Sequence, residues 1–218
     1  MSDKIKLDII SDVVCPWCII GYKHLSAAIE ELELQQKIEI YWHPFELNPD
    51  MPAEGEELTA HVARKYGSSK ADSERARLNI TEAGARYGFT FNYYDGMRMV
   101  NTFDAHVLLD YSEQLGKQTE LKMRLFSAFF SEGKDISNRD ILLSEANTIG
   151  ISSKQATIAL QNNEIKQRVK KLESQWQQMG INGVPTVIFN NTSMLTGAYP
   201  KETFIKVLQE ILDSGADN

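Results

Sequence analysis

The sequence is poor in several things that whole classes of function require. Only two of its 218 residues are cysteine, Cys15 and Cys18, and two residues separate them. A multi-bridge secreted scaffold is therefore excluded, and so small a loop staples nothing large. No run approaches 18 apolar residues, so no transmembrane helix is expected. The first ten residues, Met1 to Ile10, lack the apolar stretch of a secretory leader and read as an immediate strand, so the expected location is the cytoplasm. Lysine and arginine number 23 against 30 aspartate and glutamate, a net charge of -7, which argues against a nucleic-acid backbone binder. No Gly-x-Gly-x-x-Gly loop is present to cradle a dinucleotide. Two cysteines and four scattered histidines fall short of a zinc site of about four ligands, so no metal is expected. There is no repeat of fixed period and no low-complexity tract.

What is present reads as ordered globular protein. Residues 4–10 alternate, with Ile5, Leu7 and Ile9 on one side, which is a strand period. Pro16 opens a helical pattern through Ile20, Leu25, Ala28, Ile29 and Leu32, and Ile38 to Trp42 reads as a second strand. This β-α-β unit favours a parallel pair. From about 56 to 179 the patterns are helical, with start signals at Ser137-Asn138-Arg139-Asp140 and Ser152-Ser153-Lys154-Gln155. Ile165, Val169, Leu172, Trp176 and Met179 form one apolar stripe, and Gly180 follows as a helix stop. The aromatic segment Phe89 to Met99 interrupts the helices. Thr186 to Phe189 and Ser193 to Gly197 read as strands around an Asn190-Asn191-Thr192 turn, and a last helix after Pro200 turns Phe204, Leu208, Ile211 and Leu212 inward.

The chemistry concentrates at Cys15-Pro16-Trp17-Cys18, where the first strand hands over to the first helix. A two-residue spacer across a helical turn brings two sulfurs within bonding reach. Pro16 suits the first helical position, where its missing N–H would be unpaired anyway. Cys15 then faces free amides at the positive helix end, so its thiolate is expected to be favoured and its pKa lowered. Cys18, a turn further in, is the expected resolving thiol. A structural cysteine pair and an inert relic of a redox motif are the plainer readings, but a dithiol at a β-to-α turn reads first as a thioredoxin-like redox motif. The second signal is Ile181-Asn182-Gly183-Val184-Pro185-Thr186 before the third strand. Pro185 is tolerated at a strand entrance and is a candidate cis proline, leaving the backbone of Val184 free to pair with an extended substrate.

Cys-Pro-Trp-Cys on the first helix, Gly-Val-Pro-Thr before a strand, and the order β-α-β, helical block, β-β-α together resemble the thioredoxin-like DsbA family. Ser11-Asp12-Val13-Val14 before the motif, Phe45-Glu46-Leu47-Asn48-Pro49 and Asn101-Thr102-Phe103-Asp104-Ala105-His106 look most like its cytoplasmic FrnE-type members. The resemblance implies an α/β thioredoxin-like fold, with residues 1–55 and 180–218 forming the thioredoxin-like domain and 56–179 an all-helical insertion. It implies thiol–disulfide exchange through a mixed disulfide with protein or small-molecule thiols. No cofactor beyond the dithiol is implied; the partner is a cytosolic thiol reductant or oxidant, with glutathione a candidate co-substrate, and reductase, oxidase and isomerase directions all stay open. No nucleic-acid or membrane partner is expected. Two departures stand out. Ile19 follows the motif where many relatives carry Tyr. Glutathione-dependent isomerases of 2-hydroxychromene-2-carboxylate and kappa-class transferases, a competing reading, carry Ser in place of Cys15 and a Gly-x-Asp-Arg loop where this chain has Gly197-Ala198-Tyr199-Pro200. A peptide-binding module or chaperone with a dispensable dithiol is a third reading.

Lesser candidates surround the dithiol. Asp12, three residues before Cys15, is a candidate proton relay for Cys18 or else a helix cap or solvated carboxylate. His106 is a candidate site residue, though a lone histidine on an apolar helix is more often structural. His24 reads as packing or surface. Trp17 should tune access and touch substrate. Tyr93, Tyr94, Met97 and Met99 either line a groove or pin their loop to the core.

Overall fold

The computed structural model describes residues 4–216. Met1 to Asp3, where the sequence predicts a strand and no secretory leader, and residues 217–218 at the far end of the expected thioredoxin-like segments lie outside the described residues. The first unit is β1 (Ile5–Ser11), α1 (Pro16–Glu31) and β2 (Ile38–Pro44). The last is β5 (Thr186–Phe189), β6 (Ser193–Thr196) and α9 (Lys201–Ala216). They share a four-stranded sheet of order β2-β1-β5-β6. β1 runs parallel to β2 from Ile5 opposite Ile38 to Ser11 opposite Pro44, whereas β5 is antiparallel to both β1 and β6. The fold is thus the expected α/β thioredoxin-like one carrying a large helical insertion.

Burial differs from the expected alternation in β1. Leu7 and Ile9 pack with Leu25, Ala28, Phe204 and Leu208 of α1 and α9, yet Asp8 and Ile10 on the other side are also buried. A central strand is covered on both faces, which erases the half-buried period. Asp8 is tolerated there because His43 Nε2 lies 2.7 Å from one oxygen and Lys6 Nζ 2.9 Å from the other.

Between the two units lie β3 (Glu56–Glu57), α2 (Leu58–Tyr66), α3 (Lys70–Ala85), β4 (Arg98–Met99), α4 (Phe103–Glu113), α5 (Gln118–Phe126), α6 (Arg139–Thr148), α7 (Ser153–Gln161) and α8 (Asn163–Gln178). Asn138 caps α6, and Ser152 with Gln155 forms a capping box on α7. β3 and β4 form a two-residue ribbon. It is too short to leave a period-2 signal in the sequence. α5 runs on into a π-helical turn, Ser127–Ser131, that buries Phe129 and Phe130. The α8 stripe ends earlier than expected, because Met179 lies past the helix and is 66 % exposed.

The block docks on the β2 edge through α4, α5 and α8. Gln118 of α5 takes the place of a neighbouring strand: Trp42 N–H donates to its Oε1 at 2.8 Å and its Nε2 donates to the Trp42 carbonyl at 2.9 Å. The pairing satisfies an exposed edge and fixes α5 against the sheet. The core of the block is continuous with Val13, Val14, Cys15, Cys18 and Ile19, so the insertion packs directly on the dithiol turn. No helix among the described residues is long and apolar enough to cross a membrane.

Candidate active site

Cys15 is the N-cap of α1, with extended φ of −94° and ψ of 111°, and Pro16 is the first helical residue. Cys18 follows one turn in, and its N–H donates to the Cys15 carbonyl at 3.1 Å. Both cysteines are free thiols. The Val184–Pro185 peptide is cis, and the Val184 carbonyl accepts from Cys15 Sγ at 3.8 Å. Gly21 makes this approach possible. A Cβ built there would stand 3.2 Å from Pro185 Cγ and 3.3 Å from Ala198 Cα. A turn of α1 bearing no side chain therefore lets the Pro185 loop close on the dithiol.

The ionisation expected of Cys15 is not what this environment favours. Cys15 is only 4 % exposed. The hydrogen bond it shares with the Cys18 thiol and its burial push the Cys15 thiol well above the ordinary thiol range, although the Cys18 backbone N–H works the other way. A thiol that shares a hydrogen bond with the Cys18 sulfur and is kept from water is held in its neutral form, which outweighs the amides of the helix end.

Cys15 opens on a cavity of about 410 Å³. Trp17, 45 % exposed, stands at it, and Leu47, Ile80, Tyr93, Met97 and Phe130 furnish much of an apolar wall that also includes Met99 and Val184. Three of the four loop residues considered from the sequence thus reach this cavity. Tyr94 does not: it points away, and its hydroxyl donates to the Gly133 carbonyl at 3.3 Å. Lys65 of α2 donates to the Leu47 carbonyl and to Asn48 Oδ1, both at 2.7 Å, and so holds the Leu47–Asn48 side of the cavity. His24 lies elsewhere, its Nδ1 2.7 Å from the Tyr199 carbonyl and its ring against Tyr87. Ile19 is fully buried in the core shared with the helical block.

Beneath the dithiol turn is a buried polar group. Asp12 is fully buried and neither caps α1 with its side chain nor meets solvent. The Leu47 N–H donates to its Oδ2 at 2.8 Å, and His106 Nε2 lies 3.3 Å from its Oδ1. Burial alone would raise its pKa, but His106, the Leu47 N–H and Lys122 together hold the carboxyl below the usual range. Burial holds His106 below the ordinary histidine value, toward the neutral ring, despite Asp12. Lys122 of α5, which sequence reasoning missed, joins them. It sits one residue after Leu121 of an apolar stripe and reads as a solvated face, yet it is fully buried. Among the described residues no three His, Cys, Asp or Glu side chains gather as a metal-holding group.

The comparisons with known proteins agree with this architecture. The family model for the DSBA-like thioredoxin domain matches residues 6–209. The uncharacterized protein YwbO of Bacillus subtilis is 26 % identical over 207 residues, spanning 94 % of this chain and 96 % of its own length. The probable DsbA oxidoreductase SCO1869 of Streptomyces coelicolor superposes with a TM-score of 0.88 at 23 % identity, covering 94 % of this chain and 89 % of that one. A 2-hydroxychromene-2-carboxylate isomerase gives 0.71 at 14 % identity over 97 % and 98 % of the two chains. The cytosolic disulfide reductase DsbM of Pseudomonas aeruginosa, solved with glutathione, gives 0.62 at 16 % over 95 % and 99 %. These likenesses in structure concern the fold. With its family model spanning nearly the whole sequence, the chain belongs to the DSBA-like thioredoxin domain family, a family of thiol oxidoreductases.

Proposed function

We propose that this protein is a thiol–disulfide oxidoreductase of the FrnE type that works from its reduced dithiol in the cytoplasm, chiefly as a disulfide reductase. Cys15 attacks a substrate disulfide and forms a mixed disulfide. Cys18 then attacks Cys15 Sγ, expels the second substrate thiol and leaves the Cys15–Cys18 disulfide. A cytosolic thiol such as glutathione returns the pair to the dithiol. Residues 1–55 and 180–218 act as the thioredoxin-like unit, and 56–179 supplies much of the wall of the substrate cavity. The Val184 backbone and Trp17 hold the substrate beside Cys15, and Pro16 and Pro185 set the turn and the strand that present them.

The observation that carries this reading is the placement of Cys15: at a helix N-cap, 3.8 Å from the Val184 carbonyl and open to an apolar cavity. The reducing direction follows from the neutral thiol. A strong oxidant such as DsbA owes its potential to a stabilised reduced form. Burial and the shared Cys18 hydrogen bond give Cys15 no such stabilised thiolate. Cys15, where glutathione-dependent isomerases carry Ser, and Tyr199-Pro200 in place of their Asp-Arg pair argue against isomerase chemistry.

Insulin-disulfide reduction by wild type and Cys15→Ser, together with a redox titration, tests the reading. The expected result is activity lost in Cys15→Ser and a midpoint nearer about −270 mV than about −120 mV. Equal rates in the two proteins would refute catalysis by Cys15, and a midpoint near the oxidising end would reverse the direction.

A further inference from the structure

The cavity that opens on Cys15 is largely apolar, and one charge in its wall is unanswered. Arg77 of α3 stands there, half-buried. Arg64, Arg75, Arg124, Arg139 and Arg168 each pair with a carboxylate. Among the described residues Arg77 meets none. Its Nη2 donates one long hydrogen bond, 3.4 Å, to Thr59 Oγ1. His61 and Asp72, also in the wall, are already engaged. His61 Nδ1 lies 2.6 Å from Glu56 Oε2, and Arg64 grips that carboxylate through Nε at 2.8 Å and Nη2 at 2.6 Å. Asp72 accepts from the Ser69 hydroxyl at 2.6 Å and pairs with Arg75.

Arg77 and Tyr93 also line an open groove of about 1040 Å³ on their other side, with Glu57, Lys70 and Glu74. The guanidinium thus stands where the enclosed cavity meets open surface. The cavity itself, about 410 Å³, falls at the small end of ligand pockets. A ligand that fills it touches both Cys15 and Arg77, since both are in its wall. A guanidinium presents its N–H donors in a planar fork that fits a carboxylate. The chain's net charge of -7 gives no general attraction for anions, so a local cation must supply it. Asp72 in the cavity and Glu57 and Glu74 in the groove repel a second negative charge. One carboxylate therefore fits this place better than a phosphate dianion.

We propose that this cavity selects small-molecule disulfides whose sulfur bears an apolar, ring-sized body ending in a single carboxylate, and that Arg77 binds that carboxylate. The inference rests on the thiol-exchange function above and names its substrate class. The half that fills the cavity is the half that Cys15 retains. Cys15 gives its proton to solvent, and the thiolate attacks the near sulfur. The bond from Cys15 to that sulfur forms, the substrate S–S bond breaks, and the other half leaves as a thiolate with the electron pair. Arg77 moves no proton and no electron. It holds the retained half by its far end, so its loss falls on affinity and not on the exchange itself.

Two aromatic disulfides separate recognition from reactivity. 5,5′-Dithiobis(2-nitrobenzoate) carries a carboxylate on each ring, and 4,4′-dithiodipyridine carries none. Stopped-flow reaction of the reduced protein over a range of each gives a half-saturating concentration and a limiting rate. In Arg77→Gln the half-saturating concentration for the nitrobenzoate disulfide should rise about tenfold or more, a typical loss for a hydrogen-bonded charge. Its limiting rate, and both values for 4,4′-dithiodipyridine, should stay within about twofold of wild type. No change with either probe overturns the proposal. So does an equal loss with both, which would mean that Arg77 acts on the thiol and not on the ligand. Calorimetry reads the site without the chemistry. 4-Nitrobenzoate, which has no sulfur, should bind Cys15→Ser and lose that binding when Arg77→Gln is added, whereas uncharged 4-nitrobenzamide should bind neither. Absent binding of 4-nitrobenzoate, or equal binding of the amide, also overturns the proposal. No reaction of wild type with either disulfide, or wild-type rates in Cys15→Ser, would instead sink the underlying function.

Discussion

At the scale of single residues, the dithiol shows how identity and reactivity come apart. Cys15 and Cys18 announce themselves by spacing, and their position at a strand-to-helix turn is local. The state of Cys15 is only partly local. The hydrogen bond it shares with Cys18 raises its pKa first, and burial among walls that the insertion helps to build raises it further. A thiol whose pKa is raised stays protonated below that value, and its thiolate fraction grows tenfold with each pH unit until the value is reached. Alkylation of Cys15 by iodoacetamide, located by mass spectrometry, should therefore climb about tenfold per unit from neutral to about pH 9 without levelling. A plateau near neutrality would mean that the helix amides prevail over burial. Lys122 was illegible for the same reason. It stands beside the apolar stripe of α5 with no local mark of burial, and it is enclosed where α5 packs on the sheet, against Trp42, Phe126 and the Ser11 carbonyl.

At the scale of elements, most of the thioredoxin-like frame was legible, because strands and caps carry their signals within a few residues. Asn190 and Asn191, at φ of 48° and 57°, supply the left-handed pair that the β5–β6 hairpin turn requires, and the sequence marks them plainly. Ser152 and Gln155 announce the start of α7 just as directly. The β3–β4 ribbon and the double-sided burial of β1 carry no such signal, since each depends on what packs from elsewhere. The contact of α1 with the Pro185 loop belongs here too. Gly21→Ala gains about 1 kcal/mol of helix propensity. Its new Cβ would press on Pro185 and Ala198 at 3.2–3.3 Å, and overpacking costs about 1–3 kcal/mol. The two effects nearly offset, so stability should fall by no more than about 2 kcal/mol. Activity should suffer more, because the displaced loop carries the substrate-facing backbone of Val184. The expected outcome is a raised KM for a disulfide peptide with a melting curve close to wild type. An unchanged KM would show that the Gly21 contact does not position Val184.

At the scale of the molecule, the helical block and the sheet are joined by carboxylates that the fold holds partly out of water. The segment after β2 hangs from two of them: Leu47 N–H donates to Asp12 at 2.8 Å, and Glu46 N–H to Glu173 of α8 at 2.9 Å. Burial, then the charge of Glu173, pushes Glu46 to about 8, and burial pushes Glu173 to about 7. In the unfolded chain both carboxyls ionise near their ordinary value of about 4.3. Between that value and their folded pKa values the folded protein binds more protons than the unfolded chain, so stability falls as pH rises. The contribution is fully present below about pH 4.3 and is lost as pH climbs through about 7 and 8. The lowered pKa of Lys122 acts with the opposite sign, but only above about 8, so it does not mask the window below. Glu173→Gln keeps the acceptor for the Glu46 N–H while removing one ionisation. Its melting temperature should change less than that of wild type between mildly acidic pH and about pH 8, and at the alkaline end it should exceed wild type by a few degrees. Parallel slopes for the two proteins would show that this junction does not sense pH, and that Glu173 titrates like an exposed carboxylate despite its place between α8 and the sheet.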